Sequence, residues 1–464
     1  MKFLPLNPDY AYIGTNLFLP RKHFAAEPVK GALTFAVGLD TRVLVTEHPD
    51  HLEVPRAFLS VAEIEAIGVK VLDLRPTTYK SINLKPKEGF ELRPRQNPAW
   101  AVLGPATGGV LNVGCGGGKT IMGLYKMADK SVQSLVIAEQ SAHLDNWVNE
   151  LREFFDFKGT IGRVGDGKYE WDADIVFATL KTVLMHAADG RLPLDWPSKF
   201  GLVLYDEVHH TSAKQYATAL DIFFGDRIGL TATVKRVDRG EGIFLAHVGQ
   251  VMFRDLATDL TPVVEILETE ITVPEDQLCE IKDVGGNVHM GMLRNWLGRN
   301  EDRNALIRAR IDQLVTEGEV LYALSHSVAH VNLLHDAYPG SGCMTGEETK
   351  GRLAQLNGRQ IVFATVQVAK ENYNRKDLST LLMLTPFGAA AHADAPTLTQ
   401  AIGRIQRNCE GKKGARVILV FDKNIPEATG MGFGVINYLK SQGFPIEGAK
   451  WRKKISDRAL AHRK

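Results

Sequence analysis

From residue 91 to about 260 the chain alternates short, nearly unbroken apolar runs with segments of helical periodicity. The runs are GGVLNVG (108–114), SLVIAEQ (134–140), DIVFATL (174–180) and FGLVLYDE (200–207). In LDNWVNELREFF the apolar residues Leu144, Trp147, Val148 and Leu151 fall on one helical face. Continuous apolar strands alternating with amphipathic helices predict a parallel sheet covered on both faces. The pattern returns after residue 300, with a helix at NALIRARIDQLV and strands at EVLYALS, QIVFATV, TLLMLTP and ARVILVF. The expected fold class is therefore α/β, two such lobes in tandem.

The first 90 residues differ. LTFAVG (33–38), TRVLVTE (41–47) and VKVLDL (69–74) read as strands separated by Gly, Pro and Asp, and VAEIEAIG (61–68) reads as one short helix. The stretch from Thr77 to Gln96 is polar, carries prolines and glycine, and reads as a linker. The expected organisation is a small strand-rich module over 1–90, a first lobe over 91–262, a second over 263–440 and a basic tail over 441–464. Residues 263–300 have no readable regularity, and no short repeat is evident.

The chain has 464 residues and 44% hydrophobic composition, with 55 Lys+Arg against 54 Asp+Glu. At roughly 100–200 residues per domain, that length agrees with about three domains. The net charge of +1 excludes a globally basic protein, so nucleic-acid contact would need a confined basic track. Cys115, Cys279, Cys343 and Cys409 are scattered, which argues against a disulfide framework or zinc site and suits a reducing cytoplasm. The opening MKFLPLNPDY lacks the unbroken apolar stretch of a signal peptide, and no run suffices for a membrane span.

Three motifs carry chemistry. VGCGGGKT (113–120) lies between an apolar strand and a helix-compatible segment, the context of a phosphate-binding loop. The backbone at Gly116, Gly117 and Gly118 could close on phosphate oxygens, Lys119 could reach the β/γ-phosphates, and Thr120 could bind Mg²⁺. A chance glycine-rich turn is the competing reading. FGLVLYDEVHH ends a strand with Asp206, suited to hold Mg²⁺ through water, and Glu207, suited to activate an attacking water. His209 and His210, if on a strand edge, would point apart; His209 reads as a hydrogen-bonding coupler and His210 is unexplained. In QAIGRIQR a helix starting near Gln400 would align Gln400, Arg404 and Arg407, suiting either a γ-phosphate or a solvated basic face.

In this order and spacing, over roughly residues 91–425, the motifs resemble the superfamily 2 helicases, ATP-driven motors with two RecA-like lobes. VGCGGGKT is similar to motif I of that family, which tolerates the missing first glycine at Val113. DEVH matches motif II of the DExH type, GLTAT (229–233) motif III, and QAIGRIQR motif VI at every fixed position. The resemblance implies that Gln96, in LRPRQ, reads adenine, and that Thr179 and Thr365 touch the nucleic-acid backbone. LVIAEQSAHLDNWVNEL is similar to motif Ia. Thr231 and Thr233 become candidates for coupling the ATP site to that grip. Within the superfamily, GLTATVKRVDRGEG followed by HVGQVMF resembles the XPB-like and phage branch-migration (UvsW-like) helicases.

Three segments depart from the family pattern: Glu371-Asn372-Tyr373-Asn374 in motif V, Val234 after motif III, and Glu139-Gln140-Ser141 in motif Ia. The resemblance implies ATP and Mg²⁺ as cofactors, with an ATP cleft opening and closing between the lobes. It implies a monomeric, membrane-free DNA helicase acting on forked, branched or single-stranded DNA, with replication or recombination proteins as further partners. The setting expected is the cytoplasm of a bacterium or phage-infected cell. A duplex translocase of a restriction or defence assembly is the alternative, and RNA unwinding a third. The tail KWRKKISDRALAHRK, with Trp451, and the segment LPRK (19–22) could contact DNA or be structural.

Overall fold

The computed structural model describes residues 6–114, 116–212, 217–236, 238–346, 356–368, 375–388 and 395–448. The chain divides into two units, Met1–Ala257 and Thr258–Lys464. Six strands of the first unit are, in chain order, Gly108–Val113, Ser134–Ala138, Ile161–Gly165, Ile175–Thr179, Leu202–Asp206 and Asp226–Thr231. They lie side by side in the order third, fourth, second, fifth, sixth, first, all parallel. Val251–Asp255 extends the sheet beyond the first strand, and Lys168–Tyr169 closes the other edge antiparallel.

The second unit repeats that order with Val263–Thr269, Leu321–Ser325, Gly342–Met344, Ile361–Thr365, Thr380–Met383 and Arg416–Asp422. Again every pairing is parallel. The fourth strand in each unit is the same pentapeptide, IVFAT, buried at every residue. Its register matches too: Val176 faces Gly162 in one sheet and Val362 faces Gly342 in the other. Two sheets with one winding are the tandem RecA-like architecture, and the unbroken apolar runs are strands buried on both faces.

Helices cover these sheets as periodicity predicts. Ser141–Phe154 buries Leu144, Trp147 and Leu151, and Glu301–Thr316 starts at Asn300, whose side chain accepts from Arg303 N at 2.9 Å. The segment 263–300, unreadable in sequence, supplies the edge strand Val263–Thr269 and the helix Met290–Arg299.

The N-terminal residues build a five-stranded sheet ordered Thr46–Glu47, His51–Val54, Leu17–Pro20, Tyr10–Ile13, Lys70–Asp73, plus the hairpin Thr34–Val43. This sheet is bound to the RecA-like sheet of its own unit through two arginines, the half-buried Arg56 and the buried Arg227. Arg56 donates to Phe224 O and Gly225 O at 2.6 and 2.7 Å, and Arg227 to Thr15 O and Phe223 O at 2.6 and 2.7 Å. Burial pushes both guanidinium pKa values down, and backbone carbonyls supply partners in place of water.

The stretch from Thr77 to Gln96, expected as a linker, is instead a packed strap. Ile82 and Leu84 are buried, Leu84–Pro86 pairs antiparallel with Phe155–Phe157, and Phe90 stacks on Phe154 at 4.5 Å. Its spaced apolar residues find sites on the lobe, which the local polarity and prolines masked.

Candidate nucleotide and catalytic site

The first strand, Gly108–Val113, ends in the glycine loop, and the helix Lys119–Lys130 begins immediately after it. Cys115 lies outside the described residues. Gly118 has φ +83, and a Cβ there would stand 2.1 Å from Gln96 Nε2, so only glycine fits. Gln96 is itself buried against the loop: its Oε1 accepts from Arg93 N at 2.9 Å and its Nε2 lies 3.4 Å from Gly117 O and Gly118 O. Gly116, Gly117 and Gly118 thus form a turn whose shape is held by the residue expected to read adenine. Thr120, in the helix's first turn, is half-buried.

Lys119 Nζ lies 3.2 Å from Val113 O and 3.5 Å from Glu207 Oε1. The fifth strand brings Asp206 and Glu207 there. Glu207 has φ +46, a left-handed conformation costly for a residue with a side chain, and it turns the chain from the strand into a tight 3-10 turn, Val208–Ser212. Burial alone would raise the Glu207 carboxyl, but Lys119 and then His209 hold it well below the usual carboxylate range. Burial and the neighbouring Glu207 charge push Asp206 up. Asp206 Oδ2 accepts from Trp147 Nε1 at 2.9 Å, and Oδ1 from Glu207 N at 3.1 Å.

A hydroxyl joins this turn to the end of the sixth strand. Thr231 Oγ1 accepts from Thr233 N at 3.0 Å and lies 2.8 Å from His209 Nδ1. The same oxygen is 3.2 Å from Glu207 Oε2 and 2.9 Å from Thr233 O, and its single proton serves one of them at a time. Asn112 Nδ2 donates to Thr231 O at 3.2 Å, and Arg236 binds both His209 O and Asp238. The structure therefore brings Gly116–Thr120, Gln96, Asp206, Glu207, His209, Thr231 and Thr233 into one region.

The histidine pair departs from expectation. His209 and His210 lie on the 3-10 turn, not on a strand edge, and their rings approach to 4.1 Å between centroids at 37°. A tight turn does not impose the alternation that would point neighbours apart. His210 Nδ1 lies 3.1 Å from Glu139 Oε2, and burial pushes the His210 pKa down to about 3.

In the second unit the helix of motif VI runs Ala395–Ile405. It begins five residues before Gln400 and ends before Arg407, so the single helical face expected for Gln400, Arg404 and Arg407 is not formed. Arg404 is buried, donates to Tyr322 Oη at 3.1 Å and sits 5.7 Å over that ring. Lys412 Nζ caps the helix end on Ile405 O and Arg407 O, both at 2.6 Å. Thr179 and Thr365 close the twin IVFAT strands and are 7% and 2% exposed; the Thr179 hydroxyl donates to Thr182 at 2.7 Å. The motif V residues Glu371–Asn374 and the tail from residue 449, including Trp451, lie outside the described residues.

Sequence reasoning missed Trp147, Asn112, Arg236 and Glu139. Trp147 read simply as core, although a buried indole N–H needs an acceptor, which is a usable signal. Nothing in the spacing of the other three points to the site.

A glycine loop entering a helix, a lysine beside paired strand-end carboxylates and duplicated RecA-like sheets define a P-loop ATPase. A family model, "Type III restriction enzyme, res subunit", matches residues 89–236. "Probable helicase D10" of Escherichia phage T5 is 26% identical over 383 residues, covering 77% of each chain. "DNA 3'-5' helicase XPB" of Mycobacterium tuberculosis is 26% identical over 267 residues, 51% of this chain and 46% of that one. In fold, the chain is similar to S. cerevisiae Dbp5 bound to RNA and ADP BeF3, with TM-score 0.53 and 15% identity, over 78% of this chain and 92% of that one. The chain is thus similar to superfamily 2 helicases of the XPB and phage type, and these matches support a nucleic-acid-dependent ATPase. Among the described residues, no helix is long and apolar enough to cross a membrane.

Proposed function

We propose that the protein is an ATP-dependent DNA helicase that opens or remodels forked or branched DNA. The observation that carries this reading is the contact of Lys119 with Glu207 inside the Thr231–His209 network, a water-activating carboxylate poised beside a phosphate loop. In the proposed reaction Lys119 and the loop amides hold the nucleotide phosphates, and Glu207 orients and deprotonates the attacking water. Gln400, Arg404 and Arg407 are assigned to the γ-phosphate charge, and Gln96 to the adenine edge. His209, Thr231 and Thr233 couple hydrolysis to nucleic acid, which Thr179 and Thr365 grip through phosphates.

Mg²⁺ fits the donors. Thr120 and Asp206 offer hard oxygen ligands, and no group of three His, Cys, Asp or Glu gathers among the described residues. Two such donors would hold an ion together with nucleotide phosphates and water, the usual company of Mg²⁺. The ion would neutralise charge on the phosphates.

The proposed domain division is an accessory module over 1–90, lobes over 91–262 and 263–440, and a basic tail over 441–464, working as a monomer in the cytoplasm. A duplex translocase is the second reading, favoured by the restriction-subunit match and by a similar Sulfurisphaera tokodaii protein named "DNA 3'-5' translocase XPB2". ATP hydrolysis and strand displacement measured on single-stranded, duplex, forked, four-way and RNA substrates test the reading. Strand displacement from forks or junctions is expected. Displacement of a triplex strand without unwinding would replace it by the translocase reading, and stimulation by RNA alone would overturn DNA as the substrate.

A further inference from the structure

The ends of the first unit's strands stand in a row along one edge of the sheet. Ala138 pairs in register with Thr179 on one side, and Ile137 pairs with Tyr205, the residue before Asp206, on the other. Glu139 follows Ala138 directly, so it leaves the sheet between the threonine assigned to nucleic acid and the catalytic turn. It is also where the chain departs from the motif Ia pattern of its family.

Glu139 reaches the turn through His210. Its Oε2 lies 3.1 Å from His210 Nδ1, and the His210 ring lies 4.1 Å from that of His209. His209 Nδ1 in turn lies 2.8 Å from Thr231 Oγ1, whose one proton is shared between Glu207 and the backbone of Thr233. A neutral His210 donating from Nδ1 suits the Glu139 carboxylate, while its ring fixes the plane of His209. A shift of Glu139 would therefore turn the histidine pair and change which acceptor receives the Thr231 proton.

We propose that Glu139 and His210 are positioning residues that relay nucleic-acid binding at the Thr179 edge to the water-activating Glu207. The proposal rests on the helicase reading above. Neither residue touches nucleotide in this assignment; they act through His209 and Thr231. Hydrogen-bonded relays with two discrete arrangements are a physical means of coupling sites.

The test uses the full chain and its Glu139→Ala, Glu139→Gln, His210→Ala and double Glu139→Ala/His210→Ala variants. Basal ATPase, DNA-stimulated ATPase and DNA affinity are measured for each. Either alanine variant is expected to lose stimulation by about tenfold, within the usual range of coupling between sites, at near-normal basal rate and DNA affinity. The double variant should lose no more than the singles, and Glu139→Gln, which keeps an acceptor, should retain most of the stimulation. Intact stimulation, additive losses, or a loss explained by weaker DNA binding would each overturn the relay. Absence of stimulation in the unaltered chain would overturn the helicase reading and the relay with it, whereas a stimulated parent with unaffected variants sinks the relay alone.

Discussion

The indole of Trp147 donates to Asp206 Oδ2 at 2.9 Å from a fully buried position. Its ring lies against Gly123 in the helix that follows the phosphate loop, where a Cβ would come within 2.4 Å of it. One tryptophan on the helix after the second strand thereby touches the helix that starts the nucleotide site and orients the carboxylate assigned to Mg²⁺.

Trp147→Phe keeps an aromatic ring but removes the donor. Hydrogen bonds to charged groups contribute about 1.5–3 kcal/mol, so the Mg²⁺ concentration supporting half-maximal nucleotide binding should rise by about tenfold or more. Titration of a fluorescent ADP analogue with and without Mg²⁺ reads this directly. An unchanged Mg²⁺ requirement would leave Trp147 as packing alone.

Glu207→Gln should bind ATP and lose turnover by about a thousandfold, the scale of a missing general base. Equilibrium nucleotide binding and steady-state phosphate release separate the two. Near-normal phosphate release would remove Glu207 from its assigned role.

Gly118→Ala places a Cβ at φ +83, where it also meets the Gln96 amide. The strained backbone alone should cost about 1 kcal/mol or more, and the loop should lose nucleotide affinity. Thermal unfolding with and without ATP measures both, and a variant with normal ligand-induced stabilisation would contradict the expectation.

His330 is buried between Ser325 Oγ at 3.2 Å and Asn304 Oδ1 at 3.0 Å, and burial pushes its pKa down to about 3. An unfolded histidine titrates near 6.5, so between about pH 6.5 and 3 the unfolded chain binds more protons and stability is lost as the pH is lowered. The contribution is complete above about pH 6.5. His330→Gln, which can still donate and accept, should flatten this acid limb. Urea unfolding at about pH 7.5 and about pH 5 tests it; an equal loss in both proteins would assign the acid sensitivity elsewhere.

The strands buried on both faces were legible because their apolar runs are unbroken, as in Ser134–Ala138 and Leu321–Ser325. The hairpin Thr34–Val43 and the helix Val61–Ala66, with its Ser60–Glu63 capping box, were legible for similar local reasons. Strands such as Tyr10–Ile13 and His51–Val54 were not, since four residues give too short a pattern and their burial depends on distant partners. The motif residues near the loop were readable because phosphate and water chemistry restricts residue type tightly. Glu139 and Asn112 were not, because a carboxylate or amide at a strand end acquires meaning only from what the neighbouring strand places beside it.

The two sheets share one winding, down to an identical fourth strand. In the first, the opening strand runs into the glycine loop; in the second, Val263–Thr269 runs into Glu270-Ile271-Thr272-Val273-Pro274, with no glycine at all. The same strand position therefore leads into a phosphate-loop sequence in one unit only. The scaffold is thus repeated along the chain, whereas the glycine turn at the end of the opening strand is not.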